Sequence, residues 1–278
     1  MAKRRRDNGK QAQCRRSKEG RGIGAGANYI PYLLIHDVPS RGLASRIWGW
    51  KANRVHHLFS RLELKIFYTF EWRQDVIDIR EQFPLDLDET LAIADELGVR
   101  HPRDPRTRDY SVMTSDLVIT YRKGAVVEEL VRSVKYKTDL GDARVKEKLE
   151  IERIYWEEVR RIGWDIVTEE DLDVNLAANV EWLHGHRDIK RLAPLTAEDV
   201  AHIEALLTPR VVKGGVRLRD LTNESDARLD LTSGTSLSVV RHLLANRRWE
   251  VDMGKQHIMP PLPLKLIAEP AFYATASR

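Results

Sequence analysis

Cysteine is almost missing: Cys14 is the single thiol in 278 residues. A lone cysteine excludes an internal disulfide and a cysteine-built zinc site. Long apolar runs are missing too. A bilayer span needs about 20 consecutive apolar residues, and charged side chains, 32% of the chain, interrupt every run well before that. No charged-then-apolar leader opens the sequence, so a cytoplasmic location is expected. The glycines of Gly20-Arg-Gly-Ile-Gly-Ala-Gly26 follow no apolar strand and end in no Gly-Lys-Ser/Thr, which makes a phosphate loop a weak reading. What is present suffices for folding: 42% of residues are hydrophobic, and the length fits about two domains.

The net charge of +4 is unevenly spread. Residues 1–21 hold nine Lys/Arg, including Lys3, Arg4, Arg5 and Arg6, against Asp7 and Glu19. The rest of the chain is slightly acidic. A basic arm on a nearly neutral body fits contact with nucleic-acid phosphates, although such a tail is often only solvated. Residues 1–27 show no periodic apolar pattern and read as a flexible basic arm. The run Lys3 to Arg6 also resembles a nuclear signal.

From Tyr29 onward the pattern becomes that of a folded α/β domain, expected over 28–168. Ser40 to Trp50 reads as a surface loop leading to a short strand. Leu62, Ile66, Phe67 and Phe70 recur at helical spacing behind Ser60, a suitable N-cap. Val76 to Pro84 alternates and stops at proline, as a strand does. A short helix is expected around Glu89 to Leu97, and a long one from Ala143 to Arg161 before a strand at Trp164 to Thr168. Val112 to Tyr121 and Val126 to Lys135 flank a glycine turn and predict a hairpin. With Arg122 to Ala125 as the loop, Tyr121 pairs with Val126, and Asp116 lies opposite Val131 and diagonal to Ser133. Asp116, Ser133 and Lys135 then share one face of the sheet.

Composition shifts at Glu169-Glu-Asp-Leu-Asp, the expected start of a second domain, 169–278. Helices are expected over Leu172 to Leu183, Thr196 to Leu207, Arg217 to Asn223 and Ser236 to Ala245. Arg248 to Ile258 could add two short strands, and three helices with a small hairpin outline a winged helix.

The residues that suggest chemistry are Glu63, Asp116 and Lys135. Two carboxylates and a carbonyl oxygen suit Mg²⁺, with Mn²⁺ as a substitute, and an adjacent lysine can orient or help deprotonate an attacking water. The Val134 carbonyl lies between Ser133 and Lys135 and can face such a metal. Each residue has a plainer role as well. Glu63 completes a Ser-x-x-Glu capping box with Ser60, Asp116 suits a strand edge, and Lys135 suits an exposed edge that discourages strand pairing. His56-His57 and His184-x-His186 could be metal ligands, but without a paired third ligand they read as surface or core histidines. The basic residues Arg210, Lys213, Arg217, Arg219, Arg241, Arg247 and Arg248 surround the later helices, while Leu237-Ser-Val-Val-Arg-His-Leu-Leu has few side chains able to read bases. Protein contact is the better expectation there.

Around these residues the chain resembles the TnsA family, the endonuclease subunit of the two-protein transposase of bacterial Tn-seven-type transposons. The resemblance is carried by Gly20-Arg-Gly, Tyr29-Ile-Pro, Arg54-Val-His-His-Leu, Leu62-Glu-Leu, Asp78-Ile-Arg-Glu-Gln-Phe-Pro, Met113-Thr-Ser-Asp116, Val134-Lys135 and Lys148-Leu-Glu-Ile-Glu-Arg-Ile-Tyr-Trp156. It runs over about residues 20–185. It implies a restriction-endonuclease-like fold that cuts the 5′ transposon ends, an RNase H-type transposase (TnsB-like) that cuts and joins the 3′ ends, and an AAA+ regulator (TnsC-like) that contacts the C-terminal part. It places the catalytic residues on Glu63, Asp116 and Lys135, and sets Glu152 near the site as a further metal ligand. Ser133 stands where the resemblance leads one to expect glutamine and can serve the metal through water. Glu71-Trp72-Arg73 stands for an expected Glu-Trp-Glu. These two departures favour a rival in which the chain is a non-catalytic DNA-binding scaffold. A second rival is a free-standing restriction or junction-resolving nuclease, which would be active without a partner.

Overall fold

The computed structural model describes residues 8–37 and 43–268, and the chain divides between Leu172 and Asp173 into two compact units. Residues 8–27 differ from the flexible arm expected of them. Lys10–Lys18 form helix α1, tied down by partners far along the chain. The Asn8 amide donates to Asp104 at 2.8 Å, the Lys10 amide to Asp109 at 3.0 Å, and the Gln13 side chain to the Tyr110 carbonyl at 2.6 Å. Arg16 is buried, donating to the Asn8 side chain at 2.9 Å, with its guanidinium 5.2 Å from the Tyr32 ring centre. Local composition read this segment as solvated because the carboxylates that anchor its backbone lie 96 and 99 residues away. The glycine series is also fixed. A Cβ on Gly22, at φ 79°, would stand 2.2 Å from Pro84. Lys3 to Arg6 lie outside the described residues.

Strands β1 (Ser45–Trp48) and β2 (Val55–Leu58) form an antiparallel ribbon. Helix α2 (Arg61–Trp72) starts where Ser60 Oγ accepts the Glu63 amide at 3.0 Å, and it buries Leu62, Ile66, Phe67 and Phe70. Strand β3 (Val76–Pro84), helix α3 (Leu87–Glu96), strands β4 (Thr114–Lys123) and β5 (Val126–Val134), helix α4 (Ala143–Ile154) and strand β6 (Gly163–Val167) follow. The sheet order is β3-β4-β5-β6, antiparallel except for β5 with β6, which α4 connects as a parallel crossover. Val118 and Val131 point to the face covered by α3 and α4, where Ile93, Ile151, Tyr155 and Trp156 complete a core. Leu117 and Ile119 point to the opposite face, and α2 packs against β3 and β5.

Two details differ from expectation. The β4–β5 connection is only Gly124 and Ala125, with Gly124 at φ 64°, the positive value that a tight two-residue hairpin favours. Lys123 therefore pairs with Val126, and Tyr121 meets Glu128. The shift is two positions, so every side chain keeps its face, but Asp116 moves from beside Val131 to beside Ser133. The expected helix to Arg161 also stops early: α4 ends at Ile154 and opens into a π turn over Tyr155–Val159. Widening that turn lets the consecutive rings Tyr155 and Trp156 both enter the core, and Arg161, at φ 58°, ends the run.

The second unit is helical among the described residues, with α5 (Val174–Leu183), α6 (Ala197–Lys213), α7 (Leu218–Arg228) and α8 (Thr235–Ala245). The hairpin expected at Arg248 to Ile258 is not formed, so the winged-helix expectation lacks its wing. That segment satisfies its backbone on one side chain instead of on a neighbouring strand. Asn179 donates to the Met253 and Gln256 carbonyls at 2.9 and 2.6 Å and accepts the Ile258 amide at 2.8 Å. Trp249, Val251, Met253 and Ile258 are thereby buried. Helix α8 is a core helix, with Val239, Val240, Leu243 and Leu244 all buried. Several of the basic residues are internally paired: Arg210 with Glu224, Arg217 with Asp220, and Arg248 with the buried Glu204.

Candidate active site

The sheet brings Asp116, Ser133 and Lys135 together at the ends of β4 and β5. Lys135 Nζ lies 2.5 Å from Asp116 Oδ2, 3.0 Å from the Val134 carbonyl oxygen and 3.4 Å from Ser133 Oγ. The Val134 amide donates to the same Asp116 oxygen at 2.8 Å. Glu63 enters from the first turn of α2. Its carboxylate accepts the Phe59 amide at 2.9 Å, so the Ser60 half of the capping box forms while the acid turns to Phe59. Glu152, from α4, is buried behind Ser133, whose hydroxyl donates to it at 3.1 Å. Glu63, Asp116, Lys135 and Glu152 all line one cleft of about 740 Å³, together with Asn8, Phe59, Arg103 and Lys148.

The electrostatics are those of crowded carboxylates around one ammonium. Burial pushes the Glu63 carboxyl up to about 8 and the Asp116 charge adds to the effect, while the Phe59 amide and Lys135 oppose it. Burial also raises Glu152, with Lys135 pulling the other way. For Lys135, burial favours the neutral amine, but Asp116, Glu152 and Glu63 outweigh it and hold the ammonium above its ordinary value. Among the described residues no three His, Cys, Asp or Glu side chains converge on one metal position. Glu152 is turned to Ser133, and Lys135 sits on Asp116. Glu63 and Asp116 thus offer carboxylate oxygens to the cleft, with the Val134 carbonyl 3.0 Å from Lys135 Nζ beside them, and oxygen donors of this kind suit a hard divalent cation.

Arg73 does not enter the cleft. It caps the far end of α2, about 15 Å along the helix from Glu63, and pairs with Asp75 at 2.5 Å. His56, which reads from sequence as a surface or core histidine, is fully buried with Nδ1 2.7 Å from Glu81. His186 lies in the second unit beside Arg241, and burial together with that cation lowers it to about 4.

The residue that sequence reasoning missed is Glu81. It is completely buried and accepts from both terminal nitrogens of Arg54, at 2.9 and 2.6 Å, and from the His57 amide at 2.9 Å. It stands in phase with the buried Ile79 on β3. An acid at an inward position of a strand signals a buried cation elsewhere.

Residues 73–169 match the family model described as TnsA-like endonuclease N terminal, and residues 171–253 match that of TnsA endonuclease C terminal. The acidic cleft therefore belongs to an endonuclease fold with a second, family-specific unit. The chain is 39% identical over 233 residues to the Transposon Tn7 transposition protein TnsA of Escherichia coli, a match covering 84% of this chain and 82% of the relative. The chain belongs to the TnsA family and is an endonuclease subunit of a transposition system. No helix among the described residues is long and apolar enough to cross a membrane.

Proposed function

We propose that the first unit is a restriction-endonuclease-like catalytic core that hydrolyses phosphodiester bonds at the 5′ ends of a bacterial transposon, using Mg²⁺ or Mn²⁺. The observation that carries this reading is the meeting of Asp116, the Val134 carbonyl and Lys135 opposite a buried Glu63 in one open cleft. Two carboxylates beside a single ammonium form a site in which a divalent cation relieves repulsion, and the Val134 oxygen supplies a neutral third donor.

Glu63, Asp116 and the Val134 carbonyl would hold the cation, which would supply charge neutralisation at the phosphoryl oxygens and make a water more acidic. Lys135, kept as an ammonium by its carboxylate neighbours, donates toward the attacking water or a phosphoryl oxygen and fixes the approach. That state favours orientation and charge stabilisation over proton removal. Ser133 and Glu152 act through Lys135 and Asp116 as positioning residues, with Ser133 able to reach the metal shell through water. The helical second unit, with its internally paired arginines, docks the AAA+ regulator and helps hold the RNase H-type transposase.

Strand cleavage of transposon-end DNA in Mg²⁺ or Mn²⁺, in the assembled reaction, tests the proposal. Cleavage should fail in Ca²⁺, whose loose coordination holds oxygen ligands without fixing them. Asp116→Asn keeps an acceptor for the Val134 amide and should abolish cutting with the fold intact. Full cleavage in chelator, or by Asp116→Asn, would sink the metal-site reading.

A further inference from the structure

The β1–β2 ribbon is short, yet it is pinned by an unusual number of buried polar contacts. Glu81 binds Arg54 at the start of β2, the His56 ring and the His57 amide. Glu71 closes the turn, accepting the Trp50 amide at 2.5 Å and the Lys51 amide at 3.2 Å. Gly49 passes so close to His56 that a Cβ would stand 2.3 Å from its Nε2. Two buried acids and an obligatory glycine therefore hold a four-residue ribbon in one position.

What this rigidity presents is an outward face. Cross-strand pairing sets Arg46 beside His57 and Trp48 beside Val55, and Trp48 is 52% exposed. His57 accepts the Ile35 amide on Nδ1 at 3.3 Å, which leaves Nε2 to carry the proton as a donor. No Asp or Glu occurs between Asp37 and Glu63, a stretch that contains Arg41, Arg46, Lys51, Arg54 and Arg61. Arg46 is exposed, with no acidic partner among the described residues. The ribbon also runs straight into the catalytic cleft. One residue past β2, the Phe59 amide donates to the Glu63 carboxylate. Four extended residues span about 13 Å, roughly four base-pair rises along the DNA axis.

We propose that the outer face of this ribbon, formed by Arg46, Trp48 and His57, lies against the backbone of duplex DNA beside the bond being cut. The proposal rests on the endonuclease reading and adds the element that seats the substrate. A pair of strands without a carboxylate of their own, presenting an arginine, a proton-donating imidazole and an indole, suits phosphates and sugars. Its covalent continuity with the strand end before Glu63 sets the distance from grip to cleavage.

The test is fluorescence anisotropy of the full chain on a linear duplex carrying the transposon end, in Ca²⁺, from about 50 to 200 mM salt. Cleavage in Mg²⁺ with the transposase is measured in parallel. Arg46→Gln should lower the slope of log affinity against log salt by about 0.9, the loss of one phosphate contact, and Arg46→Lys should restore it. Arg46→Gln with Trp48→Ala should weaken binding about ten-fold, with an unchanged thermal midpoint because both side chains are exposed. Variants that bind and cut like the wild type overturn this inference alone. A wild-type chain that neither binds nor cuts the duplex overturns the endonuclease reading and this one with it. Variants with normal DNA affinity that fail only when the transposase is present would assign the face to a protein partner, and that too refutes the proposal.

Discussion

Replacing Glu81 by glutamine should be one of the most damaging single changes in the first unit, and its cost should depend on pH. Burial alone would push the Glu81 carboxyl up, but His56 and Arg54 hold it down at about 2, against an ordinary value of 4.5. That gap corresponds to about 3 kcal/mol of folding free energy. The folded value lies below the unfolded one, so the contribution is complete above about pH 4.5 and disappears as pH falls through 2. Glu81→Gln removes the charge and leaves Arg54, itself buried, without its counter-ion. Breaking such a pair from one side costs about 3–5 kcal/mol. Amide exchange over β2 and β3 of the full chain, corrected for intrinsic rates, reads this unit without assuming that both units unfold together. At pH 7 the variant should lose several orders of protection at the His57 and Ile79 amides. Between pH 5 and 2 the wild type should lose about 3 kcal/mol more than the variant, so the two converge. Parallel loss in both proteins would refute the reasoning, because it would mean that the pair carries no net stability. Glu81→Met with Arg54→Met should recover only part of the loss, since apolar replacement of a buried pair is often neutral but the His56 ring and the His57 amide lose their acceptor.

Three further outcomes follow from contacts described above. Glu63→Gln keeps an acceptor for the Phe59 amide and removes an acid whose charged form burial disfavours, so it should fold with an unchanged or higher thermal midpoint and lose cleavage; retained cleavage would leave Glu63 as a helix cap only. Asn179→Ala removes three hydrogen bonds to the segment after α8 and should cost about 2–4 kcal/mol, read as new proteolytic cleavage between about residues 249 and 264 with the first unit untouched. A chain ending at Leu172 should keep the cleft folded but fail to pull down the AAA+ regulator, and undiminished binding would move that contact to the first unit.

The helices and strands flanking the cleft were legible because each advertises itself locally. Ser60 before a helical apolar stripe gives α2, and two β-branched runs around Gly124 give the β4–β5 hairpin. The shared face of Asp116, Ser133 and Lys135 survived an error in the turn because strand parity tolerates a shift of two. What stayed hidden depends on tertiary pairing. Arg16 reads as one more solvated cation until Asn8 and Tyr32 enclose it, and Glu81 reads as a surface acid until Arg54 and His56 fold over it. The absent wing has the same cause. Arg248 to Ile258 looks strand-like, but strand formation requires a neighbour, and the Asn179 side chain takes that place. The π turn after α4 follows from adjacent tyrosine and tryptophan rings that both find room inside, which residue spacing alone does not disclose.

The anchoring of α1 has a consequence for how the molecule is made. Its partners Asp104 and Asp109 are translated about 100 residues later, which at about 5–20 residues per second is a wait of roughly 5–20 s. A nine-residue helix is too short to persist alone in water. The segment that carries α1 is therefore made well before its partners and is seated late. Asn8, which walls the cleft, arrives with it, so the nascent nuclease remains open-sided until the middle of its first unit has emerged.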